Sequence, residues 1–171
     1  MKLNSFRELF LFLLSDIYTV ENQFVADLPL FIKKAESGEL KKALENHLNE
    51  TKKQVVRLNK IFELLQEEPA HYGWARNVRN LFVDVEKFLA DNPTSLLTDS
   101  TIIAIEQRIQ HFEIATYGTL RAFAKIVNHE EIASILDEAL QEEVKTDTIL
   151  TKIIKGEIAS NIGIEIMHKQ Q

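Results

Sequence analysis

The chain has 171 residues, 45% of them hydrophobic and 27% charged, which is typical of one globular domain and excludes disordered and collagen-like classes. Five glycines and three prolines are too few for the many turns of an all-β fold, so the composition favours long helices. The absence of cysteine excludes disulfides, cysteine-ligated zinc and iron–sulfur clusters. The net charge of −6 argues against a nucleic acid partner, which would need a broad basic surface.

The first predicted helix runs from Ser5 to about Glu36. Ser5 and Glu8 have the spacing of a capping box, in which Glu8 reaches back to the Ser5 amide, and Pro29 predicts a kink near the end. The apolar stretch 9–14 is shorter than the roughly 20 residues that span a bilayer, and no small-residue cleavage site follows it. We therefore expect a core helix, no membrane association and a cytoplasmic protein.

Hydrophobic periodicity predicts three more long helices and one short helix farther along the chain. Asn128 is expected to form a tight connection, and Gly156 to end the last helix. In chain order, the predicted ranges are 39–67, 74–91 (the short helix), 99–127 and 130–155.

The helix order indicates an all-α, ferritin-like four-helix bundle. Two hairpins of long helices are separated by one long connection, which is the connectivity of ferritin-like bundles. The short helix 74–91 would lie in that crossover. We assign residues 1–155 to the bundle domain and residues 156–171 to a C-terminal tail of unassigned structure.

Each long helix has an apolar seam that an acidic residue interrupts near its middle: Glu21, Glu50, Glu113 and Glu143. Antiparallel packing would gather these four carboxylates into one layer of the core. Burying each ion costs several kcal/mol even after relaxation, and the like charges repel one another. The acids must therefore be protonated, solvated or bound to cations, and hard cations with oxygen and imidazole ligands are the natural occupants.

Two further residues lie beside these acids. His47 precedes Glu50 by three residues, and Asp147 follows Glu143 by four, which places each pair on one helix face. The periodicity does not decide which of two adjacent residues points inward on these two helices: Glu50 or Thr51 on one, and Thr146 or Asp147 on the other. An isolated Glu on such a stripe is more commonly a rim residue, and an isolated His a hydrogen-bonded core residue. Glu106 is interpreted as a rim or supporting group.

Four blocks of the sequence carry a resemblance to a known family. They are LLSDIYTVENQ (13–23), HLNET (47–51), QHFEIATYGTL (110–120) and LQEEVKTD (140–147). In this order they resemble the patterns LLSDxYxAEKQ, HLEET, EHYEIASYGTL and LDEEKxTD of the YciF-like family, also called DUF892. Gln110 stands where the pattern has Glu, so one potential carboxylate ligand is missing, and Asn49 replaces a second Glu.

The resemblance implies a rubrerythrin- or ferritin-like bundle, a homodimer and an association with bacterial stress responses. It also implies a dinuclear metal site. Iron or manganese would fit such an oxygen-rich site, zinc is possible in vitro, and no organic cofactor is expected. Glu50 and Glu143 would bridge the two ions. The implied metal ligands are Glu21, His47, Glu50, Glu113, Glu143 and Asp147.

Two functions fit these observations, and the sequence assigns no reaction. One is a metal-binding ferritin-like protein, and the other is a metal-free helical scaffold or interaction protein with a degenerate site, which Gln110 favours. The sequence has no nucleophile elbow and no phosphate-binding loop. The first helix also carries surplus apolar residues, which a dimer interface or the short helix would cover: Phe6, Phe10, Phe12, Leu14 and Phe31.

Overall fold

A computed structural model describes residues 3–70, 85, 87, 88, 90, 91 and 95–160 of the chain. The four predicted long helices are confirmed: α1 (Phe6–Lys34), α2 (Gly38–Leu65), α3 (Ser95–Ile126) and α4 (Glu130–Ile153). Within the predicted short helix, residues 85, 87, 88, 90 and 91 are helical, and the others lie outside the described residues. Beyond Ser160, the predicted tail also lies outside them.

The start of α1 has the predicted cap with one difference. The Ser5 hydroxyl accepts a hydrogen bond from the Glu8 amide at 3.1 Å. The Glu8 carboxylate, however, accepts from the Asn4 amide at 2.6 Å instead of from the Ser5 amide. The helix continues through Pro29 to Lys34.

Asp99 joins the start of α3 to the turn between α1 and α2. We expected α3 to begin near Asp99, but the helix begins at Ser95. The Asp99 carboxylate is buried and accepts hydrogen bonds from the amides of Glu36 and Ser37, both at 2.8 Å. Asp is a residue type that favours helix caps, but Asp99 caps backbone amides of a distant turn instead of its own helix. The local sequence could not indicate this contact.

The predicted start of α4 is confirmed, but its predicted end is wrong. Asn128 has a left-handed backbone, with φ of 59°, and forms the expected tight connection from α3. Gly156 does not end the helix. It lies in a π-helical turn, Ile154–Ile158, and the helical course continues through Ser160. Glycine ends a helix when it adopts the left-handed conformation, and Gly156 does not.

Side-chain pairs between helices define the topology. Phe6 of α1 contacts Phe123 of α3, and Lys60 of α2 pairs with Glu131 of α4, so each helix runs antiparallel to its neighbour in the other hairpin. The end of α2 lies beside the start of α1, and the start of α3 lies beside the end of α1. The second and third long helices are therefore joined between opposite ends of the bundle. This is the ferritin-like connectivity.

The surplus apolar residues of α1 are mostly buried within the chain. Phe10, Phe12, Leu14 and Phe31 are buried, whereas Phe6 is 40% exposed. The apolar face of α1 therefore does not by itself indicate a dimer interface. Over the residues that the structure describes, no helix combines the length and apolarity needed to cross a membrane.

Candidate metal centre

Four of the predicted residues meet in the middle of the bundle, one from each helix. Glu21 comes from α1, His47 from α2, Glu113 from α3 and Glu143 from α4, and all four are at most 1% exposed. Each follows the apolar period of its helix, so the packing that buries the neighbouring leucines, isoleucines and phenylalanines also buries these groups. Three of the four carboxylates of the layer expected from the sequence are therefore buried together, and His47 takes the place expected for Glu50.

Three of the four residues could contact a single ion. His47, Glu113 and Glu143 each offer one ligand atom, and these atoms all lie within 4.8 Å of one another. His47 Nε2 lies 3.5 Å from Glu143 Oε2, which is longer than a normal hydrogen bond. Two oxygens and one nitrogen are a donor set that zinc, iron and manganese all accept.

Glu106 fixes the orientation of the His47 ring. It is fully buried, and its Oε2 atom lies 3.2 Å from His47 Nδ1. A hydrogen bond from Nδ1 to a carboxylate directs Nε2 toward the centre, as in many metal-binding histidines. The residue therefore acts as a supporting group, one of the two interpretations left open by the sequence.

Gln110 lies on the Nε2 side of the same ring. Its amide nitrogen is 3.1 Å from His47 Nε2 and 3.3 Å from Glu113 Oε2. A side-chain amide offers both donors and an acceptor, so it can face either protonation state of the imidazole.

Tyr117 holds the Glu21 carboxyl group. The tyrosine is buried, and its hydroxyl donates to Glu21 Oε1 at 2.6 Å. Sequence reasoning missed this residue. Its position four residues after Glu113, on the same face of α3, was the available signal.

A polar chain leads from Glu143 to the surface between α2 and α4. Gln54 is fully buried, donates to Glu143 Oε1 and also donates to Glu142 Oε2 at 3.0 Å. Arg57, whose side chain is partly exposed, pairs with Glu142. Sequence reasoning missed Gln54 as well, although it interrupts the seam of α2 two turns after His47.

Burial and mutual repulsion favour the neutral forms of two central acids. Desolvation and the nearby charge of Glu143 raise the pKa of Glu21 to about 8, against the hydrogen bond from Tyr117. Desolvation, with the charges of Glu21 and Glu143, holds the pKa of Glu113 well above its usual range. Without a cation, the centre therefore binds protons at neutral pH.

The imidazole at the centre is more basic than usual. Desolvation alone would lower the pKa of His47, but the contacts with Glu106 and Glu143 outweigh it and raise the pKa to about 10. Burial and the adjacent Glu21 raise the pKa of Tyr117 well above its usual value. A metal ion at Nε2 would have to replace the proton that these carboxylates stabilise.

Glu50 and Asp147, the other two predicted ligands, lie outside this cluster. The Glu50 side chain is 19% exposed and its carboxylate lies 3.4 Å from both Lys145 Nζ and Thr146 Oγ1. Asp147 is 22% exposed and lies 3.6 Å from His111. At both ambiguous seam positions the threonine, Thr51 or Thr146, is the residue that faces the core.

The centre contains buried oxygens that lack a donor. One oxygen of each of four carboxyl groups has no hydrogen-bond partner among the described residues: Glu21 Oε2, Glu106 Oε1, Glu113 Oε1 and Glu143 Oε2. An unsatisfied buried polar atom costs about 1–3 kcal/mol, and more when it is charged. A cation bound among these oxygens would relieve that penalty, so the residues fit a metal ion.

The fold and the site together define an all-α bundle protein with a buried cluster of carboxylates around one imidazole. The chain belongs to the family described as a domain of unknown function, DUF892, whose model matches residues 5–162. The fold and family expected from the sequence are thereby confirmed.

Known relatives agree with this assignment. The chain is 28% identical over 153 residues to Protein YciF of Escherichia coli (strain K12), covering 90% of this chain and 92% of that protein. The solved structure of the E. coli stress protein YciF has a TM-score of 0.84 at 26% identity, covering 94% and 99%. YcfI from Rhodopseudomonas palustris has a TM-score of 0.81 at 32% identity, covering 86% and 94%.

Proposed function

We propose that this protein binds divalent metal ions, iron or manganese in the cell, at the centre of its bundle. The observation that carries the proposal is the set of buried carboxylate oxygens without donors in the cluster around His47, of which Glu113 and Glu143 lie close to a ligand atom of His47. His47, Glu113 and Glu143 would hold the metal. Glu21, whose Oε2 atom is unpaired and whose charge acts on Glu113, would supply a further oxygen donor. Zinc suits the same donors in vitro.

Bound iron or manganese would supply redox chemistry, for which the chain has no other group. The protein's own residues orient and shield the site. Glu106 holds the ring of His47, Tyr117 holds Glu21, and Gln54 holds Glu143. Fixing ligands through such outer contacts raises metal affinity, because less orientational freedom is lost on binding.

The biological setting is part of the same proposal. One relative is a stress protein, and we propose that this chain also acts in a stress response, in the cytoplasm and as a homodimer. The support is the similarity of sequence and fold over nearly the whole length of both chains.

A metal-free scaffold or interaction protein is the second candidate. The pairing of His47 with Glu106, together with the raised pKa of Glu113, gives the cluster a way to reduce its charge with protons instead of metal. The two candidates differ in how stability responds to added cations, because a ligand that binds only the folded state stabilises it.

Metal titration of the chelator-stripped protein separates these candidates. At cation concentrations about 100 times the dissociation constant, binding adds about 2.7 kcal/mol, which raises the melting temperature by roughly 5–10 °C for a chain of this size. The double variant Glu113→Gln, Glu143→Gln should lose the increase. Glu131→Gln, an exposed site on α4, is the matched control and should retain it.

Calorimetry and elemental analysis of protein purified without chelators or metal-affinity resin should agree with the melting data. Identical melting curves with and without iron, manganese and zinc would reject the metal-binding function and favour the scaffold.

A further inference from the structure

We infer that each chain holds one metal ion at this centre, not the pair that the family resemblance implies. The inference rests on the proposed metal binding and concerns its stoichiometry. Dinuclear carboxylate sites in four-helix bundles use four carboxylates and two imidazoles that all project inward. The described residues provide one compact ligand group, His47 with Glu113 and Glu143.

Among the described residues, the centre contains a single imidazole, that of His47. The residue three positions after Glu143, where a Glu-x-x-His motif would place a histidine, is Thr146, which is buried. His111 and His129 are both exposed. Across the parts of the chain that the structure covers, His47 is thus the sole nitrogen ligand available to an ion in the core.

The remaining carboxylates of the described residues do not form a second ligand group. Glu21 accepts a hydrogen bond from Tyr117 through Oε1, and its unpaired Oε2 atom would add an oxygen donor to the same ion. Glu106 pairs with Nδ1, on the side of the His47 ring away from the ligand atom Nε2. Glu50 and Asp147 are partly exposed and lie outside the central ligand group, with Glu50 beside Lys145 and the buried Thr146, and Asp147 beside His111.

Gln110 places a neutral amide, instead of a carboxylate, beside two of the three candidate ligands. Its amide lies 3.1 Å from His47 Nε2 and 3.3 Å from Glu113 Oε2, and its Oε1 atom has no hydrogen-bond partner within the described structure. An amide oxygen can add a neutral donor to the first ion, but it brings no charge to offset a second. A neutral group at Gln110 therefore favours one ion over two.

Manganese(II) provides a direct test. We would titrate chelator-stripped protein calorimetrically, measure bound manganese by elemental analysis and record its electron paramagnetic resonance spectrum. The wild type should bind one ion per chain and give the resolved hyperfine spectrum of an isolated ion. Gln110→Glu should raise the stoichiometry toward two and broaden the spectrum through coupling. Gln141→Glu, the same change at an exposed position of α4, should leave one ion.

Each outcome decides a different part of the inference. Two coupled ions in the wild type would overturn the inference while leaving metal binding intact. No bound manganese, iron or zinc would overturn both. One ion in both the wild type and a folded Gln110→Glu variant would overturn the role given to Gln110. If that variant fails to fold, as judged by circular dichroism, the wild-type stoichiometry and spectrum still decide the number of ions.

Discussion

Replacing Glu21 by glutamine should make the metal-free protein more stable than the wild type, increasingly so as the pH rises. Glu21 is fully buried, and its carboxyl group accepts the hydroxyl of Tyr117 at 2.6 Å. Glutamine has nearly the same shape, and its amide oxygen can accept the same hydrogen bond. The substitution therefore removes the capacity to ionise and little else.

The magnitude follows from the pKa of Glu21, which burial and the charge of Glu143 raise from about 4.5 to about 8. Because the folded pKa lies above the unfolded value, this group contributes its full stability below pH 4.5 and loses it as the pH rises toward 8. A pKa unit corresponds to about 1.4 kcal/mol. The advantage of Glu21→Gln should therefore grow by about 3–4 kcal/mol between about pH 5 and pH 8.

Urea unfolding in the presence of a chelator, followed by far-ultraviolet circular dichroism, measures this difference. His47, with its pKa raised to about 10, also loses stabilising effect as the pH rises above about 6.5. That loss occurs in both proteins and largely cancels in the comparison. A stability difference that stays constant from about pH 5 to pH 8, or that shrinks, would refute the burial and repulsion argument for Glu21.

Three other substitutions test separate parts of the structure by urea denaturation. Asp99→Ala should lower the free energy of unfolding by about 2–4 kcal/mol, because two backbone amides lose a buried acceptor. Asp99→Asn keeps one acceptor and should lose about half as much. Equal losses in the two variants would contradict the assignment of two hydrogen bonds. Tyr117→Phe should cost about 1–3 kcal/mol and raise the pKa of Glu21 further, so its cost should increase with pH. Phe24→Ala, beside the His47 ring, should cost about 3–5 kcal/mol, and a loss below about 1 kcal/mol would show that the centre is loosely packed.

Much of the fold could be predicted because its signals are local. Apolar residues at helical spacing gave the four long helices, and the long segment between the second and third gave the crossover. The errors lie at the helix ends. Asp99 has the side chain of a cap, and Gly156 is a residue that commonly ends helices, but the use of each depends on which backbone lies beside it.

The candidate site could be predicted only in part. Glu21, Glu113 and Glu143 stood out because each interrupts an apolar seam near the middle of its helix, and the structure brings them together with His47. Their roles as metal ligands stay predictions. The contacts of Glu106, Gln54 and Tyr117 could not be found from spacing, since each joins residues on different helices.

The amino-acid order by itself determined an antiparallel helical bundle with acidic groups at its mid-height, because period and helix length are local properties. Only the tertiary structure decided which acids are inside. Thr51 and Thr146 are buried, whereas their neighbours Glu50 and Asp147 are partly exposed and lie outside the central cluster. Adjacent residues differ by about 100° around a helix. A small rotation of each helix, set by the helices packed against it, therefore decides which of two neighbouring residues points into the core.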